Sequence, residues 1–149
     1  MIRPQRGQVM AFVAVALGIV VMPVAAYSVD SATLSAAAAS LEEATATAVV
    51  EASQQLDVTA FRGTGALSID AAAARGVVQA VLAAEVPMAS ITSVTVTGAV
   101  VTIATREEVS LPFDFFPERS VQLHATASAR LAGGYDRPSS RLPLPISSF

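Results

Sequence analysis

The side chains that could carry catalysis in this chain are two pairs of adjacent acids, Glu42-Glu43 and Glu107-Glu108, and a single histidine, His124. Two carboxylates that face one substrate can act as a general acid and a general base. Adjacent residues, however, point about 100° apart on a helix and to opposite faces on a strand. Both pairs are therefore predicted to be solvated surface acids, and a lone His on the polar face of a strand is typical of a surface residue.

Phosphate and metal sites find equally little support in the sequence. A phosphate-binding P-loop needs a Lys, and all 9 basic residues of the chain are Arg, so Gly63-Thr64-Gly65 is predicted to be a turn. Zinc sites use Cys or paired His ligands, whereas the chain has 0 Cys and 1 His. The net charge of -3 gives no reason to expect a nucleic-acid partner. We expect no enzyme activity, no cofactor, no metal and no small-molecule substrate.

The stretch that organises the chain is an uncharged apolar run from Gln8 to Val29, which two Arg residues precede. A run of about 20 apolar residues matches the hydrocarbon core of a bilayer, about 30 Å thick. Basic residues on a short leading flank favour keeping that flank in the cytoplasm. The sequence therefore predicts a cytoplasmic leader over residues 1–7 and a single transmembrane span over residues 8–29 of the cell membrane. The remainder of the chain would be extracytoplasmic.

A cleaved secretory signal is the competing interpretation of the same residues. Residues 1–26 combine a basic start, an apolar stretch and the small residues Val24-Ala25-Ala26 before Tyr27, as signal peptides do. Cleavage after Ala26 would release a soluble secreted binding domain. The apolar run is longer than the roughly 7–15 residues of a usual signal, and helical spacing continues beyond it. The retained anchor is therefore the preferred interpretation.

Helical spacing continues past the apolar run and predicts one long helix over residues 8–56. Gly18 and Pro23 favour a kink within the span, whereas no Gly or Pro interrupts Ser28 to Leu56. Small residues let helix backbones approach closely, although Ala also simply has the best helix propensity. We expect lateral packing against other helices along a stripe of mostly small side chains, formed by Leu34, Ala37, Leu41, Ala44, Ala48 and Ala52.

Residues 57–132 are predicted to form a small α+β domain in which one helix packs on a three-stranded antiparallel sheet. Gly63 and Gly65 indicate that residues 57–68 form a loop or short strand that ends in a turn. Helical spacing resumes over residues 69–86, with Ser or Asp available as the N-cap and a Pro directly after its end.

The strands of this domain are indicated by a change of period from 3.6 to 2 near Ile91. Alternating Val and Thr predict a hairpin that turns at Gly98-Ala99, with residues 106–108 as its exposed end. Residues 121–131 alternate without exception and predict the third strand. The Pro- and Ser-containing tail, residues 133–149, is predicted to be flexible.

An aromatic segment between the last two strands could contribute to the core or to an interface. Residues 111–117, LPFDFFP, hold Phe113, Phe115 and Phe116 between two prolines, which disfavours a place inside a ladder. These rings could plug the edge of the core, or they could form a contact surface for a partner subunit. The plug is preferred, because a small alanine-rich core needs large side chains from elsewhere.

These elements, in this order, resemble the TadE/TadG-like proteins of the Tad (Flp) pilus-assembly system. The N-terminal part of the likeness is Arg6-Gly7-Gln8 before the apolar run and the acidic Asp30 just beyond it. The remaining part is formed by the helices SATLSAAAASLEEATATAVVEA and AAAARGVVQAVLAA, the hairpin VTVTGAVVTI, the Pro/Phe-rich bridge and the strand QLHATASARL. The resemblance covers roughly residues 6–132.

The resemblance implies a pilin-like, membrane-anchored minor pilin or pseudopilin. Its partners would be other pilin-like subunits, Tad membrane assembly proteins and the lipid bilayer. Some members are cleaved by a prepilin peptidase after a Gly, which corresponds here to Gly7, with Gln8 as the new N-terminus. Pilin-type members carry Glu at the fifth position after that Gly, where this chain has Phe12. The TadG-like, accessory side of the family therefore fits better than a major pilin.

Overall fold

The computed structural model of the protein describes residues 6–113 and 120–132. Within them the chain forms α1 (Arg6–Ser53), α2 (Val58–Thr64), α3 (Ala71–Glu85), β1 (Ser90–Thr97), β2 (Val100–Ser110) and β3 (Ser120–Arg130). The predicted α+β class and the three-stranded antiparallel sheet are confirmed. The predicted flexible tail lies outside the described residues, as do Phe115 and Phe116 of the aromatic segment.

Helix α1 runs without interruption for 48 residues and includes Pro23, which gives it a length of about 70 Å. It ends at Ser53, three residues before the predicted end at Leu56. The chain tightens there, because the amide of Gln54 donates to the carbonyl of Glu51 over 3.2 Å, three residues back rather than four. Leu56 instead forms an isolated antiparallel bridge with Ile69.

The prediction of a loop or short strand over residues 57–68 is wrong, because helix α2 occupies most of this segment. Asp57 is its N-cap, and the carboxylate accepts a hydrogen bond of 2.9 Å from the amide of Ala60. Gly65 ends the helix in the left-handed conformation with φ of 70°, and its amide donates to the carbonyl of Phe61. The glycine taken as a turn signal is thus a helix C-cap.

Helix α3 confirms the predicted second helix and shows which residue caps it. The Asp70 carboxylate accepts hydrogen bonds from the amides of Ala72 and Ala73, over 2.8 and 3.0 Å. Asp70, and not Ser68, therefore satisfies the free amides of the first turn. The helix ends at Glu85, two residues before Pro87. Its buried face is formed by Ala74, Val78 and Leu82.

The sheet has the order β1-β2-β3, so β2 is the central strand. The predicted hairpin is confirmed: Thr97 pairs with Val100 across the two-residue turn, and Gly98 adopts a φ of 59° that favours glycine. Strand β2 is longer than predicted, because β3 pairs with it as far as Ser110↔Ser120. Residues 106–108 are therefore part of the strand and not an exposed end of the hairpin.

One face of the sheet is covered by two helices rather than by the single predicted helix. The described core joins residues of α1, α3 and β2, with Val101 and Ile103 of the central strand completely buried. The opposite face of β3 is polar and exposed, and it presents Gln122, His124, Thr126, Ser128 and Arg130. This one-sided burial is typical of an antiparallel sheet and explains the strict alternation in β3.

The C-terminal half of α1 supplies the main helical surface of this core. Leu41, Ala44, Ala48 and Ala52, four members of the predicted stripe, are each at most 1% exposed. They face the chain's own sheet and α3, so they are not available to another subunit while the domain is folded. This corrects the expected use of the stripe and the expected domain boundary, because the compact unit includes α1 from Asp30 onwards and not only residues 57–132.

A buried pair of hydroxyls fixes the position of α1 on the sheet. The Oγ1 atoms of Thr45 and Thr105 lie 2.7 Å apart, and both residues are about 1% exposed. Thr45 also donates to the carbonyl of Leu41, and Thr105 lies 3.5 Å from the carbonyl of Ala125. Because each buried hydroxyl has a partner, the polar groups do not destabilise the core.

The buried alanines of α1 generate the first prediction. Ala48 is 0% exposed in the core, whereas Ala46 on the same helix is exposed. We expect Ala48→Leu to destabilise the domain by about 1–3 kcal/mol, because extra methylenes overpack a filled site. The matched control Ala46→Leu should leave the melting temperature nearly unchanged. Thermal unfolding of the full chain in detergent, followed by circular dichroism, measures both, and equal melting temperatures would contradict the assigned core.

Candidate functional site

The first candidate site is the exposed apolar surface of α1 over residues 9–29. Every residue of this segment is exposed except Ala26, which is half-buried. The helix is long and apolar enough to cross a membrane, and none of its most apolar 18-residue window is buried inside the protein. A helix that is apolar all round and uncovered by its own chain exposes a surface that water does not favour.

The change from the exposed to the packed part of α1 takes place at Asp30. Asp30 is 0% exposed, although it follows directly after the apolar segment. Its Oδ1 accepts a hydrogen bond of 3.2 Å from the backbone amide of Phe113, which lies beyond the end of β2. A buried carboxylate is costly unless it accepts hydrogen bonds. The Asp30–Phe113 contact therefore ties the end of the central strand to the helix at this level.

An apolar cleft lies beside this contact. It has a volume of about 400 Å³ and is lined by Met22, Pro23, Ala25, Ala26, Val29 and Phe113. Phe113 is 55% exposed, whereas its neighbour Leu111 is buried at 6% exposure. Within the described part of the aromatic segment, Leu111 therefore belongs to the core and Phe113 faces outward, and the role of Phe113 as a partner contact stays a prediction. Phe115 and Phe116 lie outside the described residues.

The predicted processing site lies at the start of α1. Gly7 and Gln8 belong to its first turns, because the helix begins at Arg6. Phe12, the fifth residue after Gly7, is 74% exposed. Of the predicted packing stripe, only Leu34 and Ala37 remain half-buried and in part accessible.

The candidate acids belong to two separate elements, α1 and β2. Glu42 and Glu43 are exposed on α1, and Glu107 and Glu108 lie on opposite faces of β2. Glu108 accepts a 2.6 Å hydrogen bond from the Ser120 hydroxyl. Over residues 9–113 and 120–132, no three His, Asp or Glu side chains are grouped closely enough to hold a metal ion.

A small polar cavity of about 210 Å³ lies at the open end of β1, lined by Met88, Ser90, Arg106, Glu107, Glu108 and Gln122. Ligand pockets usually enclose roughly 300–1,000 Å³, so this cavity is small for an organic substrate. Glu107 is half-buried, and its Oε2 atom is buried without a hydrogen-bond partner. The guanidinium Nε of Arg106 donates to the Ser90 hydroxyl over 3.0 Å.

Comparison with known proteins adds no relative. No family model, curated protein or solved structure matches the chain. The resemblance to TadE/TadG-like proteins therefore rests on the residues alone and stays a prediction. The features of the molecule that bear on its function are helix α1, the buried Asp30 and the apolar cleft.

Sequence reasoning recognised Asp30 only as an acid beyond the span and missed its burial. A usable signal was present, since Asp30 is the only charged residue between Arg6 and Glu42. A lone acid in such a long uncharged helix indicates a specific partner, because unpartnered charges avoid apolar surroundings. The partner itself, a backbone amide 83 positions away along the chain, could not be identified from spacing.

The Asp30 contact generates the second prediction. We expect Asp30→Ala to accelerate hydrogen exchange at the Phe113 amide by about tenfold or more, because a hydrogen bond to a charged group contributes about 1.5–3 kcal/mol. Asp30→Asn retains an oxygen acceptor and should restore much of the protection. Exchange on the full chain in detergent, resolved by mass spectrometry, measures it.

The matched control for this experiment is Ser35→Ala, which removes an exposed hydroxyl from the same helix. Its exchange at Phe113 should equal that of the wild type. Unchanged protection in Asp30→Ala would show that the contact does not hold the end of β2.

Proposed function

We propose that the protein is a non-catalytic, membrane-anchored structural or assembly component of a TadE/TadG-like kind. It would belong to a Tad (Flp) pilus or a related secretion apparatus. In this proposal residues 9–29 cross the cell membrane once, the short leader remains cytoplasmic, and the small α+β domain lies outside. The partners would be pilin-like subunits and the membrane proteins that assemble them.

The observation that carries the proposal is the continuity of α1. One helix holds an apolar segment that the chain leaves uncovered and a second segment whose face forms the core of the domain. Because no loop separates them, the anchor and the domain would move as one body. A component that transmits position from a membrane to an assembly needs such a stiff connection.

The surface for lateral contacts differs from the stripe predicted first, since most of that stripe is covered by the chain itself. The outward face of α1 beyond Asp30 presents Ala32, Ala36 and Ala39, all exposed and spaced by four and three residues. Small side chains at this spacing let a second helix approach closely. This line and the apolar span would together face neighbouring pilin-like helices.

A secreted binding domain is the second candidate function, and the position of Asp30 favours it to a degree. The packed part of α1 begins there, four residues after Ala26, so cleavage after Ala26 would leave the buried part of the helix intact. Cleavage would, however, remove Met22 to Ala26 from the cleft beside Phe113. The two candidates therefore differ in the N-terminus of the mature protein.

The third prediction tests the anchor and its orientation. We expect the full chain to stay in the membrane fraction after an alkaline carbonate wash, with an N-terminus at Met1 or Gln8. Because the chain has 0 Cys, a Met88→Cys variant carries one thiol on the domain. A membrane-impermeant maleimide should label it on intact cells, and should label a Gln5→Cys variant only after lysis. A mature N-terminus at Tyr27 would instead establish the secreted domain.

The fourth prediction tests the assembly role in the cells that naturally make the protein. A photo-crosslinking benzoylphenylalanine in place of Ala36 should form adducts with pilin-like membrane proteins, because this side chain lies on the outward face of α1. The matched control replaces Ala83, which is exposed on α3. Adducts that are equally abundant at both positions, or that contain no pilus-assembly protein, would count against the proposed partners.

A further inference from the structure

The junction between the apolar segment and the domain carries an inference about how the domain is held. Pro23, Ala26 and Val29 line one side of the apolar cleft, and Phe113 lines the other. The cleft therefore joins residues of the exposed segment to a residue of the domain. None of the described residues that line it carries a charged side chain.

We propose that the domain rests directly on the lipid bilayer, with Phe113 and this cleft placed at the boundary between lipid headgroups and acyl chains. The proposal rests on the proposed function to the extent that residues 9–29 must lie in a membrane. It adds that the domain itself contacts lipid, and it names Phe113 as the contact.

Helix α1 has no spacer between its exposed apolar segment and the part that packs in the domain. The exposed segment holds roughly 20 residues, and at 1.5 Å per residue it spans about 30 Å, the thickness of the hydrocarbon core. The next residue, Asp30, is already 0% exposed beneath the domain. With the segment in a bilayer, the part of the domain that covers Asp30 must therefore lie at the headgroup level.

The second argument is the way Phe113 is presented. Its backbone amide is bonded to Asp30, and its ring remains 55% exposed beside Met22 and Val29. Trp and Tyr of membrane proteins concentrate at the headgroup level, and Phe is among the residues that interfacial helices bury at the boundary between headgroups and acyl chains. Tyr27, two residues before Val29, is also 50% exposed and lies at the same level of the helix.

The third argument distinguishes lipid from a protein occupant. Among the described residues, the cleft continues from Phe113 through Val29, Ala26 and Met22 into the surface of residues 9–29, which is exposed on all sides of the helix. A groove for one partner helix would be expected on one side only, whereas lipid contacts a helix from every direction. Lipid is therefore the single occupant that accounts for both the cleft and the surface it joins.

The experiment uses tryptophan as a depth probe, because the natural chain has 0 Trp. The full-length Phe113→Trp variant is reconstituted into phosphatidylcholine–phosphatidylglycerol vesicles whose acyl chains carry bromine, which quenches indole fluorescence on contact. Val100→Trp is the matched control, since Val100 is exposed at the start of β2, whereas Phe113 lies beyond the other end of that strand. Ile19→Trp, in the middle of the apolar segment, reports whether the segment enters the bilayer at all.

We expect bromolipid quenching to be about threefold or more greater for Phe113→Trp than for Val100→Trp, because interfacial aromatics contact the upper acyl chains. Quenching of Ile19→Trp should be the strongest. Adding Asp30→Ala to the Phe113→Trp variant should lower its quenching, because the backbone at residue 113 is then no longer bonded to the helix.

Three outcomes would overturn the proposal, and they differ in meaning. No quenching of Ile19→Trp would remove the membrane span, and the proposed function with it. In a second outcome, bromolipid quenches Ile19→Trp strongly, whereas only aqueous iodide quenches Phe113→Trp. The segment would then still span the bilayer, but the domain would not contact the lipid. A Phe113→Trp signal shielded from both quenchers would show that protein, either this chain itself or a second copy of it, covers the cleft in place of lipid.

Discussion

The fold depends on the close packing of the second half of α1 against β2 and α3. Ala44, Ala48 and Ala52 contribute almost no exposed surface, and their small side chains allow the helix axis to lie near the sheet. Burying Ala releases much less hydrophobic free energy than burying Leu or Ile. The larger apolar side chains opposite them, Val101 and Ile103 among others, therefore supply most of the hydrophobic stabilisation. The alanines contribute by letting the helix lie close enough to the sheet for these side chains to be buried.

A domain built this way cannot be separated from its N-terminal helix at the end of α1. Residues after Ser53 contain α2, α3 and the sheet, but they lack the helix that covers most of the sheet's apolar face. The folding unit therefore begins near Asp30, inside a continuous helix. For a protein proposed to connect a membrane with an assembly, the same backbone hydrogen bonds then run from the anchor into the core.

Local patterns predicted the elements that have one apolar face, and they failed for those without one. The alternation in β3 and the spacing in α3 follow from one-sided burial. Helix α2 has no buried residue, so its sequence carries no periodic signal and only its caps, Asp57 and Gly65, could have indicated it. Spacing alone does not show what the small-residue stripe packs against, because the same spacing suits a neighbouring helix and the chain's own sheet.

Asp30 lies where the exposed apolar surface of α1 ends and the surface that packs in the core of the domain begins, within a single helix. Backbone hydrogen bonds continue through it, so only side chains can mark the boundary. A carboxylate directly after the apolar segment opposes its further entry into an apolar medium. Once buried under the domain it requires hydrogen-bond donors, and the Phe113 amide provides one from the far end of β2. The contact thus joins the chain just beyond β2 to the helix directly after the apolar segment. This accounts for the presence of an exposed aromatic ring beside the last turns of the apolar segment.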